Sequence, residues 1–253
     1  MPTGSLPFLG AEALCKSFAH VTALDRLSFR APEGRITALV GDNGSGKSTL
    51  LKILSGNLQP DSGKLFVGGR EFAALSVQEA LNLGIGVVYQ DLSLDDCKSS
   101  AENIFLGQEP LVGGLFLNRK AMEREASELL ESLGIRIPDI TLPVGELSGG
   151  QRQAVAMARA LRSKCRILLL DEPTAAMGVR ETQNVLRLLR SLREAPLPLT
   201  QILVCHNLFQ VFDVADNICV LRNGRCAAEM QTADSSAEKV YRMLAEQERE
   251  AAQ

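Results

Sequence analysis

Short runs of aliphatic residues recur along the chain, and each run ends in a polar or glycine-rich segment. The clearest are residues 36–40 before Gly41, residues 167–170 before Asp171 and residues 202–205 before His206. Continuous apolar runs of this length are typical of strands that a parallel sheet buries on both faces. They predict the central strands of the fold.

Between these runs, apolar residues recur at helical spacing. One face of residues 118–134 carries Met122, Ala126, Leu129 and Leu133. Asn118 is placed to cap the start of this helix and Gly134 to end it. Residues 151–161 predict a second helix, with apolar positions at 154, 157, 158 and 161. Strands that alternate with helices indicate an α/β fold.

Two predicted hairpins depart from this alternation. The first begins with residues 64–67 and a glycine turn at 68–69, and the second joins residues 218–221 to 225–230 through Asn223-Gly224. Glycine and Asn-Gly turns of this kind favour tight antiparallel connections.

Two further stretches are helical in pattern. Residues from about Asp91 to Lys164 contain no convincing buried strand, and they predict a helical subdomain inserted in the α/β core. Near the end of the chain an amphipathic helix over residues 237–244, followed by a charged end, is predicted. Its expected apolar positions are Ala237, Val240, Tyr241 and Leu244.

Composition narrows the class of protein. The 253 residues are 45% hydrophobic and 23% charged, which excludes wholesale disorder. The net charge is −3, which argues against a protein that binds nucleic acid through an overall positive charge. No apolar run approaches the ~18 residues needed to span a bilayer. Because no basic residue precedes Lys16 and no signal-like core is present, we expect a cytoplasmic protein.

The cysteines offer little metal chemistry at the level of sequence. They are Cys15, Cys97, Cys165, Cys205, Cys219 and Cys226. None forms a CxxC pair and the chain has only two histidines, so a zinc site is poorly supplied. We expect reduced, packed thiols.

A glycine-rich motif follows the first predicted strand. Residues 41–48, Gly-Asp-Asn-Gly-Ser-Gly-Lys-Ser, fit the pattern G-x-x-x-x-G-K-[ST] and lead into an apolar helix. The glycines let backbone N–H groups turn towards phosphate oxygens, and the helix N-terminus adds its positive pole. Lys47 is predicted to reach the β- and γ-phosphates, and the Ser48 hydroxyl to bind Mg²⁺. We call residues 41–48 the phosphate loop.

Two acidic residues follow the strand at 167–170. A carboxylate pair at the end of a buried strand is costly unless a metal or another cation meets it. Asp171 is therefore the expected Mg²⁺ partner opposite Ser48. Glu172 is placed to orient the attacking water or to accept its proton.

A second anion cradle is predicted at Leu147-Ser148-Gly149-Gly150-Gln151. Ser148 can cap the helix that follows, and the two glycines expose backbone N–H groups at its start. A lone Ser-Gly-Gly is usually a flexible turn. Here it lies shortly before the acidic pair and resembles the signature sequence of ATP-binding cassette (ABC) ATPases. We call residues 148–150 the signature loop.

The resemblance covers nearly the whole chain. It implies a P-loop NTPase (RecA-like) core, an antiparallel β-subdomain that includes both hairpins, and the inserted helical subdomain. The implied division is a single domain over residues 1–253, with 1–90 and 165–253 forming the core and β-subdomain and about 91–164 the helical subdomain.

Further residues take roles from the resemblance. Gln90 matches a glutamine that contacts Mg²⁺ or water and faces a membrane partner, and His206 matches a switch histidine that contacts the γ-phosphate. A buried structural histidine is the alternative for His206. Phe18 stands where the family places an aromatic ring on adenine, with core packing as its alternative.

The resemblance thus implies three sets of site residues. The nucleotide-binding set is Phe18, Gly41, Asp42, Asn43, Gly44, Ser45, Gly46, Lys47, Ser48, Thr49, Ser148, Gly149 and Gly150. The catalytic set is Glu172, His206 and Gln90, and the Mg²⁺ set is Ser48, Gln90 and Asp171. ATP and Mg²⁺ are the implied ligands.

One departure from the family pattern is informative. The loop after Asp171-Glu172-Pro173-Thr174 continues as Ala-Ala-Met-Gly, with Gly178 where most of the family has an aspartate. The usual polar contact across the dimer is therefore in doubt. This loop, together with Gly-Asp-Asn-Gly, Val-Tyr-Gln and Cys-His-Asn, resembles the monosaccharide branch of ABC importers, the ribose- and fructose-type systems.

That branch implies an ATP-driven homodimer on the cytoplasmic face of the inner or plasma membrane. Its transmembrane permease docks near Gln90 and the helical subdomain, and a periplasmic sugar-binding protein delivers the solute. No nucleic-acid partner is expected. Two alternatives stay open: a non-transport ABC ATPase acting on DNA or ribosomes, and a regulatory nucleotide-binding module without turnover. No heptad run lies between Lys47 and Asp171, which argues against a DNA-repair ATPase with a coiled coil. Glu172 and His206 are both present, which argues against a module without turnover.

Overall fold

The computed structural model describes residues 8–162, 165–175 and 177–250. Lys164, at one end of the predicted helical insertion, and Ala176, in the loop after the acidic pair, lie outside the described residues.

Strands and helices alternate through much of the described chain. The strands are β1 (Leu9–Phe18), β2 (Val21–Ala31), β3 (Ile36–Val40), β4 (Ser62–Val67), β5 (Arg70–Phe72), β6 (Ile85–Val88), β7 (Leu111–Val112), β8 (Phe116–Leu117), β9 (Ile167–Asp171), β10 (Thr200–Val204), β11 (Asn217–Arg222) and β12 (Arg225–Gln231). The helices are α1 (Lys47–Leu54), α2 (Val77–Asn82), α3 (Ser100–Phe105), α4 (Arg119–Ser132), α5 (Gly149–Leu161), α6 (Val179–Glu194), α7 (Leu208–Val214) and α8 (Ala237–Glu250).

A six-stranded sheet in the order β12-β11-β3-β10-β9-β6 forms the centre of the fold. The three apolar runs form β3, β9 and β10, in which every residue is buried, and this confirms the predicted central strands. Neighbours among β6, β9, β10, β3 and β11 pair in parallel. Their carboxyl ends therefore meet at one edge, where ligands bind in open α/β sheets.

A second sheet is antiparallel, in the order β2-β1-β4-β5. The β4–β5 hairpin with its glycine turn confirms the first predicted hairpin. The long β1–β2 pair was not predicted. Its register shifts several times, with left-handed residues at Ala13 and Arg26, so neither strand shows an uninterrupted period of two.

The predicted assignment of the second hairpin to the antiparallel subdomain is wrong. Strand β11 pairs in parallel with β3 as well as antiparallel with β12, so this hairpin extends the large sheet. The physical reason is burial on both faces: residues 218–221 are all buried, and such a strand needs cover on each side.

Helices α3, α4 and α5, within the stretch predicted as a helical subdomain, pack around a small apolar cluster. Its buried members are Ala101, Ile104, Phe105, Met122, Ala126, Leu130, Val144, Val155 and Ala158. The Asn118 side chain accepts from Ala121 N and Gly134 has a φ of +69°, which confirms both predicted ends of α4. Helix α5 begins at Gly149, two residues earlier than predicted, and β7 and β8 are exposed.

The terminal helix α8 is longer than the predicted 237–244. Val240 is fully buried against the core of the large sheet, whereas Tyr241 is 65% exposed, so its predicted apolar role is wrong. The helix turns Tyr241 away from the core because adjacent residues lie 100° apart. None of the helices within the described ranges combines the length and apolar character that crossing a bilayer requires.

Candidate functional site

The phosphate loop lies between the carboxyl end of β3 and the first turn of α1. Lys47 is only 7% exposed, and its Nζ donates to the carbonyl oxygens of Gly41 at 2.7 Å and Asp42 at 2.8 Å. The loop therefore wraps around its own lysine. Asn43 and Gly44 form the exposed tip of the loop, and Thr49 lies partly buried in the first turn of the helix.

Glycine at two loop positions is a packing requirement. A Cβ on Gly46, which has a φ of +103°, would lie 2.6 Å from the Ala23 carbonyl oxygen, and one on Gly41 would lie 2.4 Å from that of Leu221. The turn of the β11–β12 hairpin also supports the loop, since Gly224 N donates to Ser45 O at 3.2 Å. Neighbouring backbone therefore holds the loop in shape on several sides.

Asp171 ends β9 beside the start of α1. The Ser48 hydroxyl donates to Asp171 Oδ1 at 3.5 Å, a long contact. Burial raises the pKa of the Asp171 carboxyl, and burial lowers the pKa of Lys47 while the carboxylate of Glu172 opposes that shift. A hydroxyl and a buried carboxylate are hard oxygen donors, so the group present fits Mg²⁺.

Glu172 adopts a left-handed backbone with a φ of +50°, an uncommon state for a residue with a side chain. Its N–H donates to Val204 O at 3.0 Å, which joins it to the end of β10. Backbone strain of this kind is often found at functional sites. Here the left-handed backbone directs Glu172 towards the segment that follows β10.

His206 is the second residue after the end of β10. Its Nδ1 lies 3.5 Å from Glu172 Oε2, and its side chain is 70% exposed. The alternative of a buried structural histidine is therefore wrong. The structure brings Glu172 and His206 together, as expected for two residues that act on one reacting group.

A contact that sequence reasoning missed joins these two segments. Thr174 Oγ1 donates to Gln210 Oε1 at 2.6 Å, and the Cys205 thiol donates to the same oxygen at 3.4 Å. Gln210 lies in α7, which Asn207 caps. In the sequence, the position of Gln210 four residues after His206, in the first turn of the following helix, is the signal that could have indicated this contact.

Gln90 follows β6 and is exposed at the same edge, because Val88 of β6 pairs with Leu170 of β9. The residue before it is anchored: Tyr89 OH donates to Ser55 Oγ at 3.2 Å and contacts Asn57. The parallel sheet thus brings Gln90, Asp171, Glu172, His206 and the phosphate loop to one edge.

The signature loop is built differently. Ser148 is exposed and forms a capping box with Gln151, as predicted for a helix cap. A Cβ added to Gly149 would have no neighbour within 4 Å, whereas one added to Gly150 would lie 3.0 Å from Glu181 Cγ of α6. Glu181 Oε2 accepts from Gly178 N at 3.1 Å, so this loop is joined to the one that follows the acidic pair.

Phe18 ends β1 and is 46% exposed, with Lys16 Nζ 5.6 Å from its ring centroid. Core packing, the alternative for this residue, is therefore wrong. An exposed ring face is compatible with the predicted stacking on adenine, which stays a prediction.

Comparisons with known proteins agree with this geometry. A family model described as ABC transporter matches residues 24–175. The chain is 44% identical over 229 residues to the xylose/arabinose import ATP-binding protein of Sulfolobus acidocaldarius, covering 90% of each chain. It is 43% identical over 226 residues to the fructose import ATP-binding protein of Rhizobium meliloti, covering 87% of this chain and 86% of that one.

Among solved structures, the fold is similar to a dimeric ATP-binding cassette in a post-hydrolysis state bound to ADP and phosphate. The TM-score is 0.77 at 25% identity, and the match covers 88% of this chain and 98% of that one.

Proposed function

Because the chain belongs to the ABC transporter family and is an ATP-binding ATPase, we propose that it powers the import of a simple sugar through a separate membrane permease. The observation that carries the proposal is the similarity to two sugar import subunits along nearly the whole length of each. The fructose relative agrees with the branch that the loop sequences indicate.

In this proposal each residue of the sheet edge has one role. The phosphate loop binds the phosphates of ATP, and Lys47 turns its ammonium from the loop carbonyls towards them. Ser48, Asp171 and Gln90 hold Mg²⁺, which neutralises phosphate charge when bound. Glu172 orients the attacking water and takes its proton, while His206 contacts the γ-phosphate beside it.

A second copy of the chain completes each site. The phosphate loop and the signature loop are separate anion cradles, and ATP lies between the phosphate loop of one copy and the signature loop of the other. A solved ATP-binding cassette of similar fold is dimeric and bound to ADP and phosphate, which supports a dimer of this chain. Hydrolysis removes the γ-phosphate that bridges the two copies, and the dimer opens.

The remaining partners follow from the import role. The permease docks near Gln90 and on the helical subdomain, for which we propose the bounds 91–164. A periplasmic sugar-binding protein supplies the solute. The chain then works as a peripheral subunit on the cytoplasmic face of the membrane, and its net charge of −3 is unfavourable for a nucleic-acid partner.

Glu172→Gln in the native host tests this proposal. We expect ATP hydrolysis by the purified variant to fall about 10²- to 10⁴-fold, because general-base catalysis contributes that much. Uptake of one labelled sugar from a panel of pentoses and hexoses should fall with it, while uptake of an amino acid stays unchanged. Glu238→Gln on the exposed face of α8, outside the proposed docking region, is the matched control.

Two results would contradict different parts of the proposal. Unchanged uptake of every sugar, with hydrolysis lost, would refute sugar import and leave the ATPase intact. Full hydrolysis by the Glu172→Gln variant would refute the catalytic assignment. Affinity capture from detergent-solubilised membranes addresses the alternative: a polytopic membrane protein supports import, and recovery of only ribosomal or DNA-repair proteins supports the non-transport ATPase.

A further inference from the structure

Two cysteines of the β11–β12 hairpin lie side by side. Cys219 Sγ and Cys226 Sγ are 3.3 Å apart, although neither residue is directly opposite the other in the strand register. An irregularity between Val220 and Leu221 brings them together across a diagonal. Cys219 is 1% exposed and Cys226 is partly buried.

Their surroundings make the two thiols unequal. Contact with Cys226 and burial raise the pKa of the Cys219 thiol, while the hydrogen bond to Cys219 lowers the pKa of Cys226. The carboxylate of Glu229 acts against thiolate formation at both. Cys226 is thus the more nucleophilic and the more accessible sulfur, and Cys219 is positioned to react second.

We propose that Cys219 and Cys226 are an oxidisable pair that hydrogen peroxide closes to a disulfide. The Cys226 thiolate attacks a peroxide oxygen, the O–O bond breaks and hydroxide leaves, which gives a sulfenic acid. The Cys219 sulfur then attacks the Cys226 sulfur, its S–O bond breaks and water leaves with the Cys219 proton. The two thiols lose two electrons, and the peroxide is reduced to water.

The same three side chains could be considered as a metal site. Donor atoms of Cys219, Cys226 and Glu229 lie within 4.8 Å of one another. Structural zinc takes four ligands, and this group, taken from the described part of the chain, has three. Glu229 Oε1 also accepts from Arg30 N at 3.0 Å, which occupies one of its oxygens. Disulfide formation needs one thiolate, whereas zinc binding needs both. The short distance between the sulfurs and the lack of a fourth ligand among the described residues therefore favour a disulfide over a zinc site.

Closure of the disulfide would act on the phosphate loop. The sulfurs must approach to about 2.05 Å, which draws the start of β12 towards β11. The turn between these strands supports the loop through Gly224 N and Ser45 O, and Gly224 O accepts from Asp25 N at 2.9 Å. Oxidation therefore slows ATP hydrolysis, a consequence that rests on the proposed role of the phosphate loop.

The test uses the purified chain with Cys97→Ser, which removes an exposed thiol that could link two copies. After hydrogen peroxide treatment, alkylation in urea and trypsin digestion, we expect peptide 194–222 linked to peptide 226–239 through Cys219 and Cys226. ATP hydrolysis should fall about threefold to tenfold and recover with dithiothreitol. Adding Cys226→Ser should abolish both effects, while adding Cys15→Ser should leave both.

Three other outcomes would contradict the disulfide, its preference over a metal site, or its effect on ATP hydrolysis. Alkylated Cys219 and Cys226 after oxidation would overturn the pair, and this readout on the parent chain does not depend on any variant folding. One zinc ion per chain, retained after purification and lost in Cys226→Ser, would assign a metal site instead. A linked peptide with unchanged hydrolysis would overturn the coupling to the phosphate loop and leave the disulfide standing.

Discussion

The two glycine-rich loops of this chain differ in how completely the fold supports them. The phosphate loop surrounds Lys47, and backbone from β2 and the β11–β12 turn contacts Gly46 and Ser45. The signature loop has an exposed Ser148, and a Cβ added to Gly149 would meet open space. Both loops start a helix, so both present backbone N–H groups and a positive helix pole.

The difference in packing indicates that the two loops have different tasks: the phosphate loop can bind a ligand by itself, and the signature loop adds to a site on a second molecule. A loop packed on several sides by its own chain is preorganised before any ligand arrives. An exposed loop with the same chemistry offers its donors outward, where a second molecule can meet them. In the proposed mechanism, one chain therefore supplies a preorganised phosphate loop to one site and an exposed signature loop to another.

Mixing two inactive variants gives the largest expected effect. Lys47→Ala and Ser148→Arg should each abolish ATP hydrolysis, because every site in either dimer lacks one of its two loops. In a mixed dimer one site keeps both loops, so an equimolar mixture should regain about a quarter of the wild-type rate. Phosphate release against the mixing ratio measures it.

Lys47→Ala mixed with Glu172→Gln is the matched control. In the proposed mechanism Lys47 and Glu172 act in the same site from the same chain, so no mixed dimer has an intact site and no activity should return. No recovery in the first mixture would show that the two loops of one chain serve one site. Recovery in the control would show that Lys47 and Glu172 act in different sites.

Stability should respond unequally to alanine in the two loops. Gly46→Ala places a Cβ against the Ala23 carbonyl at a left-handed φ and should lower the free energy of unfolding by about 2–4 kcal/mol. Gly149→Ala meets nothing and should change it by less than about 0.5 kcal/mol. Urea unfolding without nucleotide compares them, and equal losses would contradict the difference in packing.

The Asp171→Asn variant tests how much folding stability is lost by burying the Asp171 carboxylate beside the phosphate loop, and its expected effect is smaller than that of Gly46→Ala. Burial raises the pKa of Asp171 above its ordinary 3.8, so the folded state binds this proton more tightly than the unfolded state. The wild-type chain therefore loses stability relative to the variant as pH rises from below 3.8 through the raised value. At pH 7 the variant should be about 0.5–2 kcal/mol more stable without ligand.

The same variant should lose the stabilisation that Mg²⁺ and ATP confer, because it lacks the carboxylate. Thermal unfolding at pH 4 and pH 7, with and without Mg-ATP, measures both effects. Asp234→Asn at an exposed position is the control and should match the wild type. A wild-type chain that is the more stable at pH 7 would contradict the cost of burial.

Local patterns predicted much of this molecule. The strands β3, β9 and β10 follow from continuous aliphatic runs, and the limits of α4 follow from Asn118 and Gly134. The position of the phosphate loop follows from its glycine spacing. These features depend on residues within a few positions of one another, where periodicity, caps and turn residues act directly.

Other features were decided only when distant segments met. The sequence by itself determined that residues 218–221 form a strand and that Asn223-Gly224 turns it, but pairing with β3 placed the hairpin in the large sheet. The left-handed Glu172, its approach to His206 and the contact between Cys219 and Cys226 arise in the same way. Such contacts depend on which strand edges and helix faces bury one another, a choice made by packing over the whole chain.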